Sequence, residues 1–173
     1  MHHPDFDQHV LCAKDKMFRF ALRLLGNTDD ARDAVQDALT KIWEQRERLK
    51  EVKNAEAWSM QVTKNLCLDR LKAAKIRKMA TPELERMQGI AKAAMPYQLT
   101  EQQNLLREVK NMIAALPEKY KMAIHLRDIE GFSYQEMAEI LQWSMEEVKV
   151  NLFRARKHLK EKCVQSKVYG RLS

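Results

Sequence analysis

Glycine and proline are scarce in this chain, with four of each in 173 residues. Aromatic residues make up 7% and cysteines number three. So few Gly and Pro leave little material for the turns of a many-stranded sheet, and β-branched runs are short. The composition favours an all-α protein, in one medium domain or two small ones. No apolar run approaches the ~20 residues of a membrane span, and no signal-peptide pattern of a charged stretch before an apolar one is visible. Cys12, Cys67 and Cys163 are far apart and odd in number, which fits reduced thiols and a cytoplasmic location. There is no Gly-rich phosphate loop and no convincing nucleophile–base pair, so an enzyme is not expected. His9 and Cys12 have helical spacing with His2 and His3 nearby, but no fourth fixed ligand accompanies them, so neither a metal nor a cofactor is expected. His125 and His158 read as core or solvated side chains.

What the chain has in quantity is charge, at 32% of residues and a net +7. The excess is uneven. Residues 1–75 carry 14 Lys/Arg against 12 Asp/Glu, residues 76–144 carry 9 against 9, and residues 145–173 carry 8 against 3. A basic C-terminal end points to a phosphate-bearing partner.

Apolar spacing places helices in order. Residues 6–25 carry Val10, Ala13, Met17, Phe20, Ala21 and Leu24 on one face. Gly26-Asn27-Thr28 breaks this helix, and Thr28 or Asp29 is the expected cap of the next, over about 29–48. A polar loop follows from Leu49 to Lys53. Asn54 or a neighbour opens a long helix over about 55–77, basic towards its end. These three helices can share one core. The stretch from about 79 to 100 contains Pro82, Gly89 and Pro96 and reads as a linker. Helices over 102–115 and from Leu116-Pro117 to about Glu130 start a second unit.

The segment "GFSYQEMAEILQWSMEEVKVNLFRARKHLKE", Gly131 to Glu161, is the most informative. Ser133 with Glu136 and Ser144 with Glu147 each fit a capping box. Met137, Ala138, Ile140 and Leu141 give the first helix its buried face, and Val148, Leu152, Ala155 and Leu159 give the second its own. Gln142-Trp143-Ser144 is a three-residue turn, so the pair describes a helix-turn-helix. The outer stripe of the second helix is Lys149, Val150, Phe153, Arg154 and Lys157, with Asn151 beside it. It offers polar tips for base edges or phosphates and apolar groups for thymine methyls, as a major-groove reader would. The plainer reading is an αα-hairpin with solvated Lys and Arg. Glu146 and Glu147 suit the helix dipole but would repel phosphate.

"LPEKYKMAIHLRDIEGFSYQEMAEILQWSMEEVKVNLFRARKHLKE" resembles region 4 of bacterial sigma factors of the extracytoplasmic function family, within the sigma-70 superfamily. "DDARDAVQDALTKIWE" resembles that family's region 2, and "AEAWSMQVTKNLCLDRLKAAK" its promoter-reading helix. The motifs stand in the family's order. The resemblance implies two small all-α domains joined by a flexible linker: region 2 over 1–80, linker over 81–101, region 4 over 102–166 and a tail over 167–173. It also implies the partners: core RNA polymerase, promoter DNA and an anti-sigma factor, with no membrane insertion.

Under that resemblance Asp33, Gln36 and Asp37 form the core-polymerase face, where acidic and amide groups suit a basic coiled coil. Asn54, Trp58, Gln61, Lys64, Asn65 and Lys72 are the −10 candidates, and Leu49 to Asn54 matches the family's pocket for a flipped base. Ser59 follows Trp58, so a tryptophan pair is missing, which predicts dependence on a good −10 sequence. Lys149, Val150, Asn151, Phe153, Arg154 and Lys157 are the −35 candidates. Trp43 and Asp69 read as structural. Three departures stand out: Leu39 where Phe is usual, Arg32 in place of an acidic residue, and Gln142 where Gly often closes the helix. Two other readings stay open from the residues alone. One is a stand-alone helix-turn-helix regulator binding DNA as a dimer; the other is a helical adaptor that binds only proteins. The sequence does not settle whether the two halves pack together.

Overall fold

The computed structural model describes residues 6–80 and 99–166, and every regular element among them is helical. Most of the expected linker, the expected tail and His2 and His3 lie outside these residues. The first half opens with a π turn, Phe6–Val10, and a 3-10 turn, Leu11–Ala13. Helices α1 (Lys14–Leu25), α2 (Thr28–Glu44) and α3 (Ala55–Ala80) follow, with a 3-10 turn at Arg46–Lys50 before α3. The second half contains α4 (Glu101–Ala114), α5 (Glu118–Ile124) running into a π turn (His125–Ile129), α6 (Tyr134–Leu141) and α7 (Met145–Gln165).

The caps explain the boundaries. Gly26 ends α1 in the left-handed region, φ 71°, donating its N–H to Leu22 O, a conformation glycine adopts without a Cβ penalty. The cap of α2 is neither Thr28 nor Asp29. It is Asn27, whose Oδ1 accepts from the Asp29 and Asp30 N–H groups at 2.8 and 3.1 Å. Its short amide reaches the first-turn donors, while the two aspartates suit the dipole from inside the helix. Asn54 caps α3 through Ala57 N–H at 2.9 Å. The expected capping boxes at Ser133–Glu136 and Ser144–Glu147 both form, and a third joins Thr100 to Gln103.

In the first half, α1, α2 and α3 pack against one another. They bury Met17, Phe20, Ala34, Ile42 and Met60. In the second half, α7 receives α4, α5 and α6. It buries Val148, Leu152 and Ala155, with Leu159 half-buried. Burying a side chain such as Leu152 contributes about 1.5–3 kcal/mol. The two halves also pack together: α6 lies on α3, and α5 with its π turn lies on α1. The buried apolar cluster runs through both. Leu39 is half-buried against this cluster, consistent with Leu filling an aromatic's place. Trp43 meets Phe6 edge-on at 5.0 Å between ring centroids. Asp69, read as structural, is exposed on α3.

Candidate nucleic-acid interface

The outer face of α7 is built by elimination. Val148, Leu152 and Ala155 turn inward, leaving Lys149, Val150, Phe153, Arg154 and Lys157 exposed and Asn151 half-buried. Phe153 is 70% exposed and Val150 43%. Leaving a Phe in water forgoes about 1.5–3 kcal/mol of burial. Two carboxylates near this stripe already have partners. Glu147 accepts the Ser144 N–H at 2.8 Å, so one of the two troubling carboxylates is spent on the cap. Arg156 leaves the stripe to grip Asp128 with two hydrogen bonds, at 3.1 and 2.5 Å; that bonding raises its already high pKa. Lys149, Arg154 and Lys157 form no ion pair with the other described residues.

The α3 candidates share a face. At 100° per residue, Asn54, Trp58, Gln61, Asn65 and Lys72 fall together and Lys64 lies on their edge. Asn65 and Lys72 are exposed, while Gln61 and Trp58 are half-buried, the latter beneath the Arg48 guanidinium at 5.7 Å. Lys64 differs: it is 4% exposed. Its Nζ donates to Leu141 O and Gln142 Oε1, both at 3.3 Å. Burial lowers its pKa. Asn54 donates to Glu136 Oε1 at 3.1 Å. Two of the six side chains are thus engaged by α6 and the turn that follows it. Beside the loop from Leu49 to Asn54 lies a cavity of about 820 Å³. Its wall carries Lys16, Lys50 and Lys53 beside Glu56, with apolar Leu49, Val52 and Ala55 between them; Lys16 pairs with Glu56 and Lys50 with Glu47.

The α2 candidates Asp33, Gln36 and Asp37 are all exposed, opposite buried Val35. Asp37 accepts from Arg70 of α3 at 2.5 Å. Gln36 and Arg32 also border a groove of about 380 Å³ between α1 and α2.

Sequence reasoning missed the groups that join the halves. Arg19 binds Glu130 with two hydrogen bonds, at 2.7 and 2.8 Å. Burial raises the Glu130 pKa, but the Arg19 bonds and nearby positive charge outweigh it and hold the carboxyl below its usual range. His125 stacks on Phe20 at 5.4 Å and is 1% exposed. Its Nε2 lies 3.3 Å from Glu130 Oε1 without hydrogen-bond alignment. Burial lowers its pKa to about 4 against the pull of Glu130, with Arg23 and Arg19 adding to the depression. His125 is therefore neutral at pH 7. Burial also pushes the Cys67 thiol up to about 12, which leaves it inert. No helix among the described residues is long and apolar enough to cross a membrane.

Both halves match known proteins. Residues 10–76 match sigma-70 region 2, and residues 106–159 match sigma-70 region 4. The chain is 29% identical over 160 residues to the extracytoplasmic function sigma factor SigE of Mycolicibacterium smegmatis, covering 91% of this chain and 61% of that protein. To SigW of Bacillus subtilis it is 26% identical over 155 residues, covering 86% of this chain and 83% of the relative. Among solved structures it resembles the sigma factor RpoE of Bartonella quintana, determined with the anti-sigma factor NepR. There the TM-score is 0.66 at 26% identity, over 92% of this chain and 96% of that one. With α1–α3 inside one match, α7 inside the other and their order kept, the chain belongs to the sigma-70 family of RNA polymerase sigma factors, of the extracytoplasmic function type.

Proposed function

We propose that this protein binds core RNA polymerase through the exposed α2 face and directs it to promoters with two readers, α7 at the −35 element and α3 at the −10 element. The observation that carries this reading is the outer stripe of α7, where Val150 and Phe153 stand exposed among Lys149, Arg154 and Lys157 on the second helix of a helix-turn-helix. Cationic tips suit phosphates and guanine edges, and apolar groups suit thymine methyls. On α2, Asp33, Gln36 and Asp37 offer the acidic and amide groups that would meet a basic polymerase surface.

At the −10 element the work is strand separation. Extruding a base costs a few kcal/mol, and stacking returns about 1–3 kcal/mol per base. Trp58 and Gln61 on α3, Asn65 and Lys72 beyond them, and the cavity beside residues 49–54, with Lys53 in its wall, form a surface for a single strand and one flipped base. Asn54 and Lys64 join it once α6 moves away. The protein supplies binding and strand separation; nucleotide addition belongs to the polymerase. It would act in the cytoplasm. An anti-sigma factor is a further expected partner, supported by the B. quintana relative having been solved with one. No observation favours a stand-alone dimeric regulator.

Run-off transcription with core polymerase on a promoter library tests the proposal. Transcripts should start at defined sites that share a −10 and a −35 element, and they should disappear when the protein is omitted. Core enzyme that neither binds the protein nor changes its start sites would overturn it.

A further inference from the structure

We propose that Arg23 of α1 and Lys121 of α5 form a binding site for a phosphate-class oxyanion where the two helices meet. Helix α1 packs on α5 and its π turn, and the contacts run in antiparallel order. Arg19 holds Glu130 at 2.7 and 2.8 Å, and Phe20 stacks on His125. The next turn along each helix brings Arg23 to Lys121. There the complementarity fails: Arg19 meets a carboxylate, but Arg23 meets an ammonium. Both side chains are half-buried. Neither makes a hydrogen bond or an ion pair with the other described residues, and Arg23 Nε is itself buried without an acceptor. Burial lowers the pKa of both; Arg23 lowers that of Lys121 further, and Glu118 pulls it back only in part. Glu130 cannot serve them, since Arg19 engages both of its oxygens.

Buried polar groups are paired as a rule, and a charge taken from water without a counter-charge is costly. Two like charges brought together in a half-buried junction add repulsion to that cost. A tetrahedral oxyanion answers both. Its oxygens suit the planar fork of an arginine, and the lysine adds a compact charge on the other side. Phosphate fits better than a monovalent anion because two positive charges face it. A chloride ion brings one charge and no array of acceptors. The same group is presented by free phosphate and by a phosphate monoester such as a nucleoside monophosphate. None of the promoter-facing candidates on α3 or α7 belongs to this site, so it does not depend on the DNA reading.

Thermal unfolding of the whole protein in sodium phosphate, against sodium chloride at the same ionic strength, tests the site. Phosphate at about tenfold its Kd should raise Tm by about 3 °C over chloride, and the rise should saturate. Arg23→Gln and Lys121→Gln should each abolish the rise. Lys119→Gln, at an exposed neighbour on α5, should keep it. Brief acetylation with acetic anhydride, read by mass spectrometry, reports on the same contact in the parent protein. Phosphate should slow labelling of Lys121 about threefold relative to Lys119, because the anion covers the ammonium and favours its charged form. Adenosine monophosphate distinguishes the sources: a response at lower concentration than phosphate marks a nucleotide, and an equal or weaker one marks the free ion. Three results overturn the site: a rise no larger than in chloride, a rise that survives in both Arg23→Gln and Lys121→Gln, or Lys121 labelling that phosphate leaves unchanged. The labelling decides the matter even where a variant fails to fold. No polymerase or promoter DNA is involved, so the transcription assay judges the sigma-factor reading separately.

Discussion

The outer face of α7 and the face of α3 that carries Asn54 and Lys64 belong to one protein but stand in opposite states. On α7 the chemistry is displayed: Phe153 and Val150 face water, Arg156 holds the Asp128 carboxylate and Glu147 is taken up by the Ser144 cap. On α3 part of the chemistry is covered: Lys64 is buried and Asn54 is held by Glu136. The difference teaches that exposure follows what lies across from a helix as much as what the helix carries. The α7 stripe faces no other helix among the described residues, so its cations stay free. The edge of α3 faces α6, whose carboxyl end presents the Leu141 carbonyl, and a lysine satisfies such a group.

The widest contrast is between two phenylalanines. Phe20 is fully buried and stacks on His125 at the seam, whereas Phe153 is on the open stripe. Phe20→Ala should cost about 3–5 kcal/mol of stability, while Phe153→Ala should stay within about 0.5 kcal/mol and lower transcription from promoters that need their −35 element. Urea unfolding of both variants checks this, and equal losses would erase the distinction.

Acid comes next, and at the seam it acts through His125. His125 has a folded pKa of about 4, below the ordinary value of about 6.5. Well above that ordinary value it is neutral folded and unfolded, and pH changes nothing through it. As pH falls from there towards about 4, the unfolded imidazole takes a proton that the folded one refuses. Stability therefore falls with pH, by about 3 kcal/mol at the lower end. NMR titration should show the His125 ring still neutral at about pH 5. A midpoint at the ordinary histidine value would refute its burial.

A smaller effect belongs to the open stripe. Arg154→Ala should weaken −35 discrimination by about 1–3 kcal/mol if the guanidinium reads a base edge. If it holds a phosphate instead, binding weakens on every sequence and the salt slope falls by about one. Holoenzyme binding to matched and mismatched −35 elements at several salt concentrations separates the two, and an unchanged profile would remove Arg154 from the interface. The smallest effect is at the cap that sets the stripe's helix: Ser144→Ala should cost about 1 kcal/mol, read as a shift of the urea midpoint. No shift would mean that Glu147 and the turn hold the helix start unaided.

What the sequence discloses is local. Ser133, Glu136, Ser144 and Glu147 are spaced as capping boxes demand, so the helix-turn-helix and the outward stripe of α7 are legible from residue spacing alone. The helical periods of α1–α3 give the first core in the same way. The misses have different causes. Asn27 competes with Thr28 and Asp29 for one cap, and only geometry selects among three capable neighbours. The π turns at Phe6–Val10 and His125–Ile129 widen the helical period by one residue, which apolar spacing does not register. The seam joins Arg19 to Glu130 and Lys64 to Gln142, partners 111 and 78 positions apart. No periodicity connects them, so the covering of α3 is invisible in the sequence.

Gln142 sets two demands against each other. A glycine there would turn the chain more comfortably into α7, but it would bring no amide to Lys64. Improving the turn at that one position would therefore take away one of the two oxygens that hold Lys64, so ease of turning and the seating of α6 on α3 trade against each other in a single side chain.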